Sequence, residues 1–412
     1  MHGGRSFRAA RAAAALAFLV LAAPVFAALS TPEDGTCDDA TRWSHYPSQT
    51  VVYATTQPPT IDGVVNGDPA WDAVPWSAPF VDIATTTPPE FATRIKTRYD
   101  AANLYVAAHL VDTAVWANIT YCCHCVNASE DQVIFHDNDF EVFVDTRGTT
   151  HWYKEFEINA ANANWNLLLD RPYSDGGVEN SSRVDGASGY DMMHRVPPAR
   201  TAVSVVHGRL NDPASGPRGW YVELALPLAS LAYHTDATVP PREGEYWRAN
   251  FARVEWGVVV EGNRYLKRPS CQSCADPGSP QPDNWVWSPM HAVNLHAPEL
   301  WGYLQFANAS AVNATAAVRD PQWPQRWAAH NAYVGQRAYF DEHGRYASDV
   351  GAIAERAPSP EALANGCIGA VRIELRGRDA RGYTAYVEPG PGSNVVITVD
   401  ERRLTLASNV QP

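Results

Sequence analysis

The chain has 412 residues, a formal net charge of -13, 14 Trp and 18 Tyr, and only 4 Met. That length allows two domains, one of them a large β-domain. The acidity, with no basic run anywhere, excludes a phosphate-tracking surface; neutral ligands or cations are the expected partners, not nucleic acid.

Residues 1–27 read as a secretory signal: Arg5, Arg8 and Arg11 form the basic end, residues 12–23 the apolar run, and Val25-Phe26-Ala27 the cleavage site. The run is shorter than the ~20 residues of a membrane-spanning helix. No later segment is apolar enough to span, so an exported protein with no membrane span after cleavage is expected. Export places the seven cysteines in an oxidising compartment. Disulfide candidates are the cluster Cys122, Cys123 and Cys125 and the pair Cys271 and Cys274; Cys37 and Cys367 complete the set. A zinc site joining the cluster to the pair is the alternative, which the irregular Cys-Cys-His-Cys spacing disfavours. Connectivity stays open at this point, and an odd count leaves one thiol over. Sequons at Asn118, Asn127, Asn180, Asn308 and Asn313 point to the same glycosylating route.

Residues 28–50 form a polar arm, and residues 49–54 give a first strand. Asp68 and Pro69 then cap and start a short helical turn that carries Trp71, which with Trp76 is assigned to the core. Residues 93–99 and 104–111 alternate around a turn and predict a hairpin. A long loop, residues 112–130, holds Trp116 and the cysteine cluster. Next comes the strongest signal. Residues 137–145 and 151–159 alternate with period two around Gly148, with a further run to Tyr173. One face carries Phe140, Val142 and Val144; the other carries Asp139, Glu141, Phe143 and Asp145, facing Tyr153, Glu155, Glu157 and Asn159. Residues 174–189 read as a flexible Gly/Ser/Asp insertion. Strands follow at 201–210, 219–226, 246–256 and 301–306, with a Pro/Ser/Cys loop over 262–287.

Short alternating strands with regular turns predict an all-β protein, an antiparallel β-sandwich over 51–306. A linker covers 307–325. Residues 326–412 form a small α+β region, with a helix from Trp327 to Gly344 and then hairpins.

The ordered motifs Ile61-Asp-Gly, Asp68-Pro-Ala-Trp71, Asn103-Leu-Tyr-Val-Ala-Ala108, Asp137-Asn-Asp-Phe-Glu-Val-Phe-Val-Asp145, Tyr153-Lys-Glu-Phe-Glu-Ile-Asn159, Gly219-Trp-Tyr-Val-Glu223 and Trp301-Gly-Tyr-Leu-Gln-Phe306 resemble the family 9 carbohydrate-binding modules of the DOMON-like superfamily. The resemblance spans about residues 51–306. It implies a β-sandwich that binds sugar between aromatic rings, structural calcium, and a setting in plant-polysaccharide breakdown. The chain departs from the family by its cysteine-bearing loop, the 174–189 insertion and the lack of an attached catalytic domain.

Sugar recognition needs flat rings for C–H faces and planar polar groups for hydroxyl pairs. Trp165, Trp116 and Tyr173 are the ring candidates; Arg171, Arg98, Glu157 and Asn159 are the polar ones. Asp137, Asp139 and Asp145 are candidate calcium ligands, although they do not follow EF-hand spacing. Two other functions are open. Glu155 and Glu157, about 6.5–7 Å apart by backbone rise, fall within the range of glycosidase carboxyl pairs. Haem ligation by Met192, Met193, Met290 or histidines would give an electron-transfer module, without any Cys-x-x-Cys-His attachment motif.

Overall fold

The computed structural model describes residues 37–120, 133–269, 278–309 and 315–410. Nineteen strands occur among them: β1 (Gln49–Ala54), β2 (Val81–Asp82), β3 (Thr93–Tyr99), β4 (Asn103–Leu110), β5 (Asp139–Asp145), β6 (Tyr153–Asn159), β7 (Asn164–Leu169), β8 (Glu179–Asn180), β9 (Arg200–Val205), β10 (Trp220–Pro227), β11 (Tyr246–Trp256), β12 (Val258–Glu261), β13 (Arg264–Lys267), β14 (Pro282–Val286), β15 (Gly302–Ala307), β16 (Val371–Arg376), β17 (Gly382–Val387), β18 (Val395–Asp400) and β19 (Thr405–Asn409). The large sheet runs β8-β7-β6-β5-β11-β15-β1-β3-β4-β10-β9, with β14 attached to β11 and β2 to β14.

The expected all-β architecture is present, as one large curled sheet. Its pairs are antiparallel except those of β1, which lies parallel to both β15 and β3. β1 and β3 pair only at Tyr53–Arg98 and Ala54–Tyr99. Curling brings one face of both halves together. Phe140, Val142, Phe156 and Ile158 of β5 and β6 share a core with Val106 of β4, Leu224 of β10, Phe251 of β11 and Phe306 of β15. Those are the apolar positions of each alternating strand, so the hydrophobic period fixes which face turns inward. Trp71 is fully buried as expected, with its indole N–H donated to Glu223 Oε1 at 2.6 Å, and Asp68 caps its turn.

The sequence reading differs from the structure in two stretches. The 174–189 insertion is built: it carries the short strand β8, a helical turn over Ser182–Asp185, and the buried Glu179 and Ser181. The 262–287 loop contains β13 and β14, too short to show an alternating pattern.

The C-terminal region is a 21-residue helix, Trp323–His343, against the four-stranded sheet β16-β17-β18-β19. Its core of Ala328, Ala332, Tyr333, Ile353, Tyr383, Val387 and Ile397 comes from this helix, the short helix Val350–Ala354 and one sheet face. The large sheet and this region belong to one compact unit. A disulfide between Cys37 and Cys367 closes 330 residues of chain and ties the N-terminal arm to the C-terminal region. Cys122, Cys123, Cys125, Cys271 and Cys274 lie outside the described residues. No helix among those described is long and apolar enough to cross a membrane.

Replacing Cys37 and Cys367 together by Ser is expected to cost about 2–5 kcal/mol of stability. Thermal unfolding under oxidising conditions checks this: the variant should melt below the wild type, and an unchanged melting temperature would contradict the assignment of the bond as a stabilising staple.

Candidate functional site

The outward positions of β5 and β6 form a covered acidic face. The strands pair Glu141 with Glu157 and Phe143 with Glu155, and β7 adds Trp165 beside Glu157 and Leu167 beside Glu155. Beyond them, Glu179 of β8 lies opposite Leu169. Alternation alone would leave this face in water. Instead Ile119, Ile134, Met290, Ala297 and Trp301 cover it, forming a second core with Phe143, Tyr153 and Trp165. Asp139, Glu141, Glu155 and Glu157 are all buried.

Burial, then repulsion among them, pushes all four carboxyls well above the usual carboxylate range. Among the described residues no Lys or Arg forms an ion pair with any of the four. Arg253 of β11, paired with Phe140 on the opposite face of the sheet, is held by Asp112 at 3.0 Å and Glu255 at 2.7 Å. Arg183 is paired with Glu179 and lies 5.0 Å above the Trp165 ring. His296 approaches Glu155 at 3.9 Å and Tyr153 OH at 3.0 Å, but burial holds its pKa at about 4, so it is neutral at pH 7.

Several polar atoms here have no hydrogen-bond partner among the described residues: Asp139 Oδ2, Glu141 Oε2, Glu155 Oε2 and the Trp165 indole N–H. Buried groups left this way are costly, and a water, an ion or a ligand can satisfy them. Asp139, Glu141 and Glu157 each offer an oxygen, and these oxygens lie within 4.8 Å of one another. The trio could hold a metal ion.

At the margin, Phe135 and Tyr173 are substantially exposed, and the Tyr173 ring meets His296 edge-on at 4.6 Å. The Phe135 amide N–H donates to Glu157 Oε2 at 3.1 Å, which fixes the turn Ile134–His136 against the carboxyls.

Of the predicted site residues, Trp165, Glu157, Asp139 and Tyr173 come together here. Asn159 is buried nearby with its groups engaged: it accepts from the Ala161 and Ala163 amides and donates to Ile119 O and Asp137 Oδ2. Asp137 accepts from the Asn118 and Ile119 amides, and Asp145 from those of Arg147 and Thr150. Trp116 packs in a separate cluster with Val254 and Trp256. Arg171 pairs with its neighbour Asp170 at 3.2 Å. Arg98 is buried elsewhere, donating to the carbonyls of Ala70 and Ala54. The haem candidates separate as well, since Met192 lies in the main core and Met290 in the second one.

Sequence reasoning missed His296, Phe135, Glu179 and Arg183 as site residues. His296 reaches the face through a loop far along the chain, and Glu179 through the two-residue strand β8, so no alternating pattern marks them. The signal for Phe135 is a ring a few residues ahead of β5.

No family model matches the sequence, and no curated protein does. Solved structures do. A family 9 carbohydrate-binding module from Caldicellulosiruptor kristjanssonii in complex with cellotriose aligns with 66% of this chain and 100% of its own, at 15% identity and a TM-score of 0.36. The glucose complex from the same organism aligns with 65% and 100%, at 15% identity and a TM-score of 0.37. A Bacteroides uniformis protein to which carbohydrate binding is provisionally ascribed aligns with 63% and 99%, at 16% identity and a TM-score of 0.39. The chain is similar in structure to family 9 carbohydrate-binding modules.

The raised carboxyl pKa values set the sign of a pH effect. The folded protein holds protons that the unfolded chain releases near pH 4, so stability falls as pH rises from about 4 toward the folded-state values. In chelator, Glu155→Gln removes one like charge. It is expected to stabilise by on the order of 1–3 kcal/mol at pH 8 and to make little difference at pH 4. Melting curves at both pH values check this; destabilisation at pH 8 would contradict the repulsion.

Proposed function

We propose that this chain is an exported, noncatalytic carbohydrate-binding protein that works in polysaccharide breakdown and takes its ligand at the acidic face. The observation that carries the reading is the set of unpartnered buried acceptors on Asp139, Glu141 and Glu155, beside the unpartnered Trp165 donor and under the Phe135–Tyr173 margin. Sugar hydroxyls supply donors for carboxylate oxygens and an acceptor for an indole N–H, while rings cover the apolar C–H faces. A largely apolar wall with a few convergent polar groups is the general form of a small-ligand site.

Calcium is the ion we assign to the trio. Three carboxylate oxygens suit a hard cation, and Asp139 Oδ2 and Glu141 Oε2 are without other partners. Asp139, Glu141 and Glu157 would hold it, and it would neutralise the mutual repulsion and offer coordination positions to hydroxyl oxygens.

Hydrolysis fits less well. The Glu155 and Glu157 carboxyls are both buried in the covered face, and burial with mutual repulsion keeps them from ionising together. Glycosidase carboxyls instead flank a glycosidic bond ~5–9.5 Å apart. Export is supported by the Cys37–Cys367 disulfide together with the leader-like first 27 residues.

A glycan array with pull-down on insoluble polysaccharides, with cellotriose and glucose among the probes, tests the function. Binding without reducing-sugar release is expected, with Glu141→Gln and Trp165→Ala each weakening it about tenfold or more. Absence of binding to every glycan would overturn the reading. For the ion, millimolar calcium at pH 7.5 is expected to raise the melting temperature of the wild type and not of an Asp139→Asn/Glu141→Gln variant; an equal rise in both would remove calcium from the trio.

A further inference from the structure

The turn between β18 and β19 belongs to the C-terminal region, yet it reaches the margin of the acidic face. The Asp400 carboxyl fixes the turn by accepting from the Arg402 and Leu404 amides at 2.9 and 3.0 Å. The carbonyl of Arg403 accepts from Thr150 Oγ1 at 2.6 Å, and the Thr405 amide donates to Thr149 O at 3.1 Å, so the turn is docked on the β5–β6 loop.

The Arg403 side chain then joins two further loops. Its Nη1 donates to Glu299 Oε1 at 3.0 Å, its Nε lies 2.9 Å from Asp175 Oδ2, and its Nη2 donates to Ser174 Oγ at 3.1 Å. The Tyr333 hydroxyl completes the set, accepting from Nη2 at 3.2 Å and donating to Asp175 Oδ1. Glu299 follows His296 by three residues, and Asp175 follows Tyr173 by two. Those are the two rings that meet at the edge of the acidic face. One guanidinium therefore holds the segment carrying Tyr173 and the segment carrying His296 at a fixed separation. A planar fork with five donors can do this; an ammonium cannot meet Glu299, Asp175, Ser174 and Tyr333 at once.

We infer that Arg403 is a positioning residue of the ligand site: the C-terminal region completes that site by clamping the Tyr173 and His296 segments together. The inference rests on the carbohydrate reading for what the site binds, and on the geometry alone for the clamp. Glu299 illustrates the strength of the junction. Burial alone would raise its pKa, yet the Arg403 charge and His330, whose Nδ1 lies 3.5 Å from Oε1, hold it down to about 2.

The test uses the full chain as wild type, Arg403→Lys, Arg403→Met, Tyr333→Phe and, as control, Arg402→Met. In this structure the Arg402 side chain pairs with Asp400 in its own turn. Without ligand, amide exchange over residues 173–176 and 295–300 and the His296 ring signals are followed by NMR. His296 faces Tyr153, Glu155, Tyr173 and Phe143. Arg403→Lys is expected to speed exchange in both segments about tenfold and to move His296 titration upward as water enters. Arg402→Met should leave both unchanged. With cellotriose or glucose, whichever the wild type binds, Arg403→Lys should weaken affinity about tenfold.

Unchanged exchange and His296 signals in Arg403→Lys would overturn the clamp, and altered signals with unaltered probe affinity would overturn its positioning role. Should the wild type bind neither sugar, a glycan that it binds on the array takes their place; should it bind no glycan, the carbohydrate reading fails, while the ligand-free exchange and His296 data still decide the clamp. If Arg403→Met does not fold, Arg403→Lys and Tyr333→Phe decide it.

Discussion

Four carboxyls held out of water on one sheet face, with no Lys or Arg among the described residues in an ion pair with them, are the constraint around which this protein is arranged. Asp139, Glu141, Glu155 and Glu157 repel one another, and burial raises the cost of charging any of them. A fold meant only to be stable would place Leu or Thr there. The rest of the structure maintains the costly arrangement: the main core fixes which side of β5 and β6 faces inward, and Ile134, Ala297 and Trp301 close over the acidic side. A cation or a hydroxyl-rich ligand is the species that relieves this cost, so stability and binding draw on the same atoms.

The surrounding elements act as supports at different distances. Glu157 takes the Phe135 amide and so ties the margin to the floor of the site. Asn159 and Asp137 together fasten the turn after β6 to residues 118 and 119. Arg248 donates to the carbonyls of Pro298 and Glu299 and holds the segment after His296 from the sheet side. Arg403 holds it from the C-terminal side. The disulfide to Cys367 then anchors that region to the start of the described chain.

Most of the strands and the two-faced character of the 137–159 hairpin were legible in the sequence, because period-two alternation is a local property. So were the Trp71 turn, through Asp68 and Pro69, and the C-terminal helix, though the helix starts at Trp323, a turn earlier than the Trp327 pattern suggests. The burial of the acidic face was not legible. It depends on residues near 119, 134 and 297 that meet only after folding, and nothing in a strand's own pattern says whether its polar side is covered. Arg98 and Asn159 show the same limit from the other direction: both have the right chemistry for a sugar site, and the fold spends Asn159 on a turn and Arg98 on backbone carbonyls. The pairing of Cys37 with Cys367 joins the two most distant cysteines, which no spacing rule could select.

A crystal structure of the protein soaked with a saccharide that it binds in solution would test the central claim most directly. The account predicts ligand density between Phe135 and Tyr173, with hydroxyl oxygens within hydrogen-bond reach of Glu141 and Glu155. Density on another surface instead, for example over the Trp76, His109 and Tyr221 rings, with the acidic face unchanged, would contradict it.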